Sequence, residues 1–239
     1  MKSINFKLIE APYIDCVQLS LQNNEMFITT GCVNDVQNEI MLHVTFVHSS
    51  CELKNIGLLE NAIAFATDRH AGTFRKCIDM PYIIHPMEAV SIAAGITSDV
   101  EILAAVVLHD VVEDTPVTLS EIEDLFGKRI AALVAAESEE KMPGILPSES
   151  WEVRKRATVQ ALRYAMRDEK IITLADKLSN LRSIYRDLNR IGESIWVKFN
   201  QKDKKKHEWY YRGIASALAE LSDYLAYKEF NMLIDNVFA

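Results

Sequence analysis

Four ionisable residues, His109, Asp110, Glu113 and Asp114, fall within six positions directly after seven consecutive apolar residues at 102–108. Charges in a dry environment persist only when paired or bound to metal, so an apolar run ending in such a group reads as a site. On a helix over 98–115, His109 and Glu113 are four apart, as are Asp110 and Asp114, and each pair stacks one turn apart on a shared face. His109 and Asp110, about 100° apart around the axis, are close enough to grip one ion from a single corner. A mixed imidazole and carboxylate site needs more donors, and the obvious ones are His85, at the start of a preceding helix, and Asp176, far along the chain. Glu113 and Asp114 would then be spare carboxylates one turn from the ion, where a base for a water or an acid for a leaving group is useful. The competing interpretation is a surface Glu-Asp pair at a helix C-terminus, which opposes the helix dipole and needs compensation.

The elements that must position these residues follow from hydrophobic period. The central helix opens on a capping box, Ser98-x-x-Glu101, and its apolar residues cover every side, the pattern of a helix surrounded by protein. A buried strand competes for 102–108, but Ala104-Ala105, the capping box and the length favour helix. A second box, Thr118-x-x-Glu121, starts a helix that Gly127 ends. Upstream, Leu58, Leu59, Ala62, Ile63, Phe65 and Ala66 predict an amphipathic helix ending near His70-Ala71-Gly72. His85-Pro86 opens the helix containing Met87, Val90, Ile92 and Ala93, since proline is favourable just inside a helix start. Downstream, helices are predicted over 128–139, 148–167 and 171–188, the last carrying Asp176, Lys177, Asn180 and Arg182 and broken by Gly192. A run of lysines, Lys202, Lys204, Lys205 and Lys206, reads as a solvated helix entrance, followed by helical sequence from about Glu208.

Residues 1–53 have a different texture, with β-rich stretches at 16–22, 26–32 and 40–47 separated by polar breaks, which predicts a small antiparallel meander. His43 and His48 lie here, where a packed or surface role is the ordinary one. The expected architecture is an all-α domain over 54–239 with a small N-terminal β-rich extension over 1–53. With 239 residues and a net charge of −8, the chain can bury a core without staples and lacks the basic balance of a nucleic-acid or membrane-surface binder. The four cysteines form no Cys-x-x-Cys pair, and no stretch reaches about 18 apolar residues, so free thiols and a cytoplasmic location are expected.

Four separated motifs carry a resemblance: Arg75-Lys76; Pro81-Tyr82-Ile83-Ile84-His85-Pro86; Leu108-His109-Asp110-Val111-Val112-Glu113-Asp114-Thr115; and Leu174-Ala175-Asp176-Lys177-Leu178-Ser179-Asn180-Leu181-Arg182. Together they resemble the HD-domain phosphohydrolase superfamily and, more narrowly, the hydrolase domain of RelA/SpoT homologues, above all its small, hydrolase-only members. The resemblance implies an HD-type helical bundle that hydrolyses guanosine alarmones, (p)ppGpp, at the ribose 3′ position to GDP or GTP and pyrophosphate, with one Mn²⁺ ion. It implies His85, His109, Asp110 and Asp176 as metal ligands, and Glu113 and Asp114 as the groups that handle water and proton transfer. Arg75 and Lys76 would pack on base and ribose, Asn180 would contact substrate, and Lys141 and Tyr210 fall where small hydrolases have a phosphate-binding lysine and a tyrosine.

The chain departs from the family pattern in two places. The loop Cys77-Ile78-Asp79-Met80 stands where a glycine is frequent, and Ala136-Glu137-Ser138-Glu139-Glu140 stands where Val-Thr followed by acids is common. Two rival functions therefore stand beside the first: a phosphatase of another nucleotide, for example a nucleotide or NADPH phosphomonoesterase, and a nucleotide-binding module with little turnover. The implied partner is a small nucleotide rather than nucleic acid or membrane, and a homo-oligomer is compatible with the sequence.

Overall fold

The computed structural model describes residues 4–6, 16–22, 25–31, 42–44, 52–75, 80–138 and 144–239, with side chains from Gly57 onward. It divides into two compact units, Met1–Leu53 and Lys54–Ala239. In the first, four strands, β1 (Ile4–Phe6), β2 (Cys16–Gln22), β3 (Glu25–Gly31) and β4 (Leu42–Val44), form an antiparallel sheet in the order β1-β2-β3-β4. The long pair, β2 with β3, is in register with Cys16 opposite Gly31 and Gln22 opposite Glu25.

The second unit is helical. Its α-helices are α1 (Glu52–Arg69), α2 (Ile84–Ala94), α3 (Val100–Leu108), α4 (Val111–Asp114), α5 (Leu119–Phe126), α6 (Lys128–Glu137), α7 (Pro147–Leu162), α8 (Arg167–Ile191), α9 (Lys204–Ala217) and α10 (Leu225–Phe238). Among the described residues no helix is long and apolar enough to cross a membrane. The hub is α8, which packs against α2, α3, α6 and α10. Its buried face, Ile171, Ile172, Leu174, Ala175, Leu178, Leu181 and Ile184, recurs with the period of a helix and leaves Asp176 and Ser179 among the apolar neighbours.

Every residue of α3 from Ile102 to Leu108 is buried, as expected for a helix enclosed by protein. Two expectations for this stretch are corrected. The cap is Asp99, whose Oδ1 accepts from the amides of Glu101 and Ile102, and Ser98 lies outside the helix. A carboxylate has a second oxygen to spare, and that of Asp99 is held by Arg129 at 2.8 Å while Oδ1 takes the two amides. The helix also does not run unbroken to Thr115: regular α-helix ends at Leu108, His109 and Asp110 form a turn, and α4 restarts at Val111.

Other boundaries hold as read, although of the second box only the Thr118 half forms and the Glu121 carboxylate accepts from Arg69 instead. The Thr118 hydroxyl accepts from the Glu121 amide, and Gly127 ends α5 with φ +92°, a left-handed conformation that glycine adopts without strain. Gly192 ends α8 with φ +64°. Arg129 bonds Asp99, Glu101 and Asp168, tying together the N-termini of α3, which leads into His109, and α8, which carries Asp176.

Leu108 is fully buried immediately before His109. Leu108→Ala is expected to lower unfolding stability by about 2–5 kcal/mol, because the lost methyl groups leave a cavity the helices fill only in part. Urea denaturation checks this, and a change below about 1 kcal/mol would contradict the packing of α3.

Candidate active site

Three elements bring the site together. Tyr82 and His85 enter from the start of α2, His109 and Asp110 from the turn between α3 and α4, and Asp176 from the middle of α8. The His85 Nε2 lies 3.1 Å from Asp176 Oδ1 and 3.4 Å from Asp110 Oδ2; the His109 Nε2 lies 3.1 Å from Asp110 Oδ2 and 3.6 Å from Asp176 Oδ1. Both imidazoles and Asp176 are buried, whereas the Asp110 side chain is 20% exposed.

The far side of each ring fixes what the near side offers. His109 Nδ1 is 2.7 Å from the Val106 carbonyl, which can only accept, so that nitrogen carries a proton and a neutral ring presents its Nε2 lone pair to the centre. In that neutral form the buried Nε2 has no hydrogen-bond donor facing it among the described residues, only the carboxylate oxygens of Asp110 and Asp176. His85 Nδ1 is 2.9 Å from the Ser179 hydroxyl.

Charge separation across this group is strong. Burial disfavours the His109 imidazolium, but Asp110 and Asp176 outweigh it and raise its pKa well above the ordinary histidine value. Burial likewise opposes ionised Asp110 and Asp176. His109 and His85 outweigh it at Asp110, Lys177 and the same two histidines at Asp176, and both carboxyls are held well below the usual carboxylate range.

His85, His109 and Asp176 offer ligand atoms that all lie within 4.8 Å of one another, so they could hold a metal ion. Two donors at about 2.1 Å and at right angles on one ion stand about 3 Å apart. The nitrogen-to-oxygen separations here match that spacing, and Asp110 Oδ2 lies close to both rings, so the residues present fit a divalent cation with mixed nitrogen and oxygen ligands.

Around this centre lies a cavity of about 940 Å³, large enough for a nucleotide. Glu113 and Asp114 line it, as do Arg75, Asn180 and Tyr210. Arg75 Nη2 donates to Asn180 Oδ1 at 3.0 Å, and Asn180 Nδ2 donates to Asp176 Oδ1 at 2.5 Å. Two charged partners thus fix the amide of Asn180 in one orientation. Of the residues expected from sequence, His85, His109, Asp110, Glu113, Asp114, Asp176, Arg75, Asn180 and Tyr210 stand together; Lys76 and Lys141 lie outside the described residues.

The sequence reading gave no role to several residues that line or support the cavity. The Tyr82 hydroxyl donates to Asp110 Oδ2 at 2.6 Å, its ring lies between those of His70 and His85, and the Arg75 guanidinium sits 5.6 Å from its centre. Burial and the Asp110 charge raise the Tyr82 pKa far above the ordinary phenol value, so it remains a donor. Lys177 contacts Asp176 Oδ2; burial opposes its charge, but Asp176, Tyr210 and Glu137 outweigh this and raise its pKa. Tyr211 stands beside Tyr210 in the wall, and Glu137 faces Thr173 and Lys177. Tyr82 and Lys177 stand next to or near His85 and Asp176 in the sequence, which is the signal that could have found them; Glu137 has no such neighbour.

The HD domain family model matches residues 62–203. Guanosine-3′,5′-bis(diphosphate) 3′-pyrophosphohydrolase MESH1 of Homo sapiens is 41% identical over 156 residues, covering 64% of this chain and 79% of that protein. MESH1 of Danio rerio is 34% identical over 155 residues, with the same shares covered. The bifunctional (p)ppGpp synthase/hydrolase SpoT of Escherichia coli strain K12 is 37% identical over 127 residues, 53% of this chain and 18% of that longer protein. Among solved structures, a metazoan ortholog of SpoT superposes with a TM-score of 0.58 at 22% identity over 82% of this chain and 97% of its own, a likeness of fold. lmo0812 from Listeria monocytogenes EGD-e superposes at 0.56 with 31% identity over 64% and 98%. A family model spanning more than half of the chain, and relatives above 30% identity matched along most of their own length, make this chain a member of the HD domain family.

Proposed function

We propose that this protein is a metal-dependent (p)ppGpp 3′-pyrophosphohydrolase using one Mn²⁺ ion. The observation that carries the reading is the convergence of His85, His109, Asp110 and Asp176 on one point in the wall of a nucleotide-sized cavity that Glu113 and Asp114 also line. The MESH1 relatives, named as hydrolases of this nucleotide, support the substrate.

His85, His109, Asp110 and Asp176 would hold the ion, which when bound supplies a Lewis acid that acidifies water and neutralises phosphate charge. Glu113 and Asp114 take the proton from the attacking water and deliver one to the departing ribose oxygen. Water oxygen bonds to the phosphorus next to the ribose, the bond from that phosphorus to the 3′ oxygen breaks, and the 3′ oxygen leaves protonated. Arg75, held by Asn180 and Tyr82, presents a flat cation for the base, and Asn180 offers its remaining polar capacity to the sugar. Lys76, Lys141 and Tyr210 take their roles of base, phosphate and substrate contact from the family resemblance. Strands β2 and β3, within residues 1–53, are read as part of a small N-terminal β-rich extension.

The test is incubation with ppGpp and Mn²⁺ followed by product separation. Pyrophosphate and GDP are expected; orthophosphate, or turnover of another nucleotide only, would replace the proposal with the phosphomonoesterase reading, and binding without turnover with the binding-module reading. Glu113→Gln keeps shape and removes the base, so kcat is expected to fall by about 10²–10⁴-fold with Mn²⁺ affinity unchanged. Full activity in that variant would remove Glu113 from the chemistry.

A further inference from the structure

We propose that Ser179, Glu88 and Arg182 form a positioning chain, anchored by Glu229 on the C-terminal helix α10, that fixes His85 in the tautomer presenting Nε2 to the metal. The inference rests on the reading of His85 as a ligand and extends it to residues that never touch the ion.

The direction of each proton is dictated from the far end of the chain. Arg182 carries only donors. Its Nε and Nη2 each lie 2.7 Å from one oxygen of Glu229, a bidentate pair, and its Nη1 lies 3.3 Å from Glu88 Oε1. Glu88, in an ion pair with Arg182, offers only acceptors, so the Ser179 hydroxyl, 2.8 Å from Glu88 Oε2, must donate to it. A hydroxyl has one proton. Toward His85 Nδ1, 2.9 Å away, Ser179 can therefore only accept, and Nδ1 must carry the hydrogen. A neutral His85 is left with its Nε2 lone pair facing Asp110 and Asp176.

The chain is enclosed where it matters, with Ser179 1% and His85 2% exposed, so bulk water does not replace the hydroxyl. It joins α2, which carries His85 and Glu88, to α8, which carries Ser179 and Arg182, and to α10. His109 reaches the same tautomer through a backbone carbonyl, which no side-chain substitution removes. His85 depends on side chains from three helices, so its orientation is the one that distant residues govern. Hydrogen-bonded partners behind a metal-bound histidine commonly set affinity by 10–100-fold.

The test compares wild type with Ser179→Ala, Ser179→Thr and Glu229→Gln in the full chain. Two readouts are taken: Mn²⁺ affinity by calorimetry, and the His85 tautomer of metal-free, histidine-labelled protein by proton–nitrogen NMR. Wild type is expected to show a proton on Nδ1. Ser179→Ala should bind Mn²⁺ about 10–100-fold more weakly and show mixed tautomers, Ser179→Thr should keep both properties because it keeps the hydroxyl, and Glu229→Gln should fall between. Unchanged affinity and tautomer in Ser179→Ala would overturn the proposal, as would weaker binding with the tautomer unchanged, which would point to packing alone. A wild-type Glu229→Gln would remove the anchor from the chain. Failure of wild type to bind Mn²⁺ would sink the metal reading instead, and the tautomer comparison would still decide the chain.

Discussion

Asp110→Ala is expected to lose bound Mn²⁺ and turnover together, with kcat/KM for ppGpp down by at least about a thousandfold. The size follows from the several kcal/mol of transition-state charge stabilisation that a metal ion supplies, each 1.36 kcal/mol being a factor of ten. Asp110 is the sensitive position because one of its oxygens, Oδ2, stands 3.4 Å from His85 Nε2 and 3.1 Å from His109 Nε2 and also accepts from Tyr82 at 2.6 Å. Removing it leaves the imidazoles facing Asp176 alone and a shielded tyrosine hydroxyl without its acceptor. Asp110→Asn separates the two effects: the amide oxygen still accepts from Tyr82 but brings no charge to the ion. Electron paramagnetic resonance of free Mn²⁺ and a ppGpp assay, with circular dichroism to verify folding, give the answer. Full activity in Asp110→Ala would mean that the metal does not bind here.

The helical domain was readable because its signals are local. Seven enclosed apolar residues before His109, the Thr118 cap and the glycines at 127 and 192 act within one or two turns of the residues they control. The same locality explains the failures. Ser98 and Asp99 are both competent caps, and the choice between them depends on Arg129, 30 positions away, reaching Asp99. At the break, Asp110 meets His85 and His109 meets Asp176, both from other helices, and no period within 98–115 encodes those contacts.

The site was legible in its polar residues and illegible in their supports. His85, His109, Asp110 and Asp176 betray themselves by type, since ionisable groups in apolar surroundings need a reason. Ser179 does not: a serine on a helix is usually bland, and only the fold puts it between His85 and Glu88. Tyr82 is similar, an aromatic that reads as packing until its hydroxyl is found on Asp110. Glu137 was visible as a departure from the family pattern, but its consequence needed the neighbours that α8 supplies.

That consequence is a pH-dependent stability. Burial pushes the Glu137 carboxyl from 4.5 up to about 7; Lys177 pulls it down, Asp176 adds to the rise, and the Thr173 hydroxyl and His109 pull it down more weakly. The hydrogen-bond geometry accommodates the neutral form. Thr173 Oγ1 lies 2.5 Å from Glu137 Oε1 and 3.1 Å from the Glu169 carbonyl oxygen, and one hydroxyl proton cannot serve both. When Glu137 is protonated it donates to Thr173, which donates to Glu169, and every group is satisfied. A folded-state pKa above the unfolded one means that the native protein holds a proton the unfolded chain has released. Stability from this group is therefore full below pH about 4.5 and is lost as pH rises to about 7. The loss has an upper limit on the order of 3 kcal/mol, reduced by the residual exposure of the side chain. Glu137→Gln, neutral at every pH, should match the metal-free wild type near pH 4.5 and become more stable above pH 7 by about 1–3 kcal/mol. Mn²⁺ at Asp176 should shrink the difference, because a nearby cation favours the carboxylate. Guanidinium unfolding of both proteins across this range reads the slope directly, and two parallel curves would show that Glu137 titrates as an ordinary surface carboxylate.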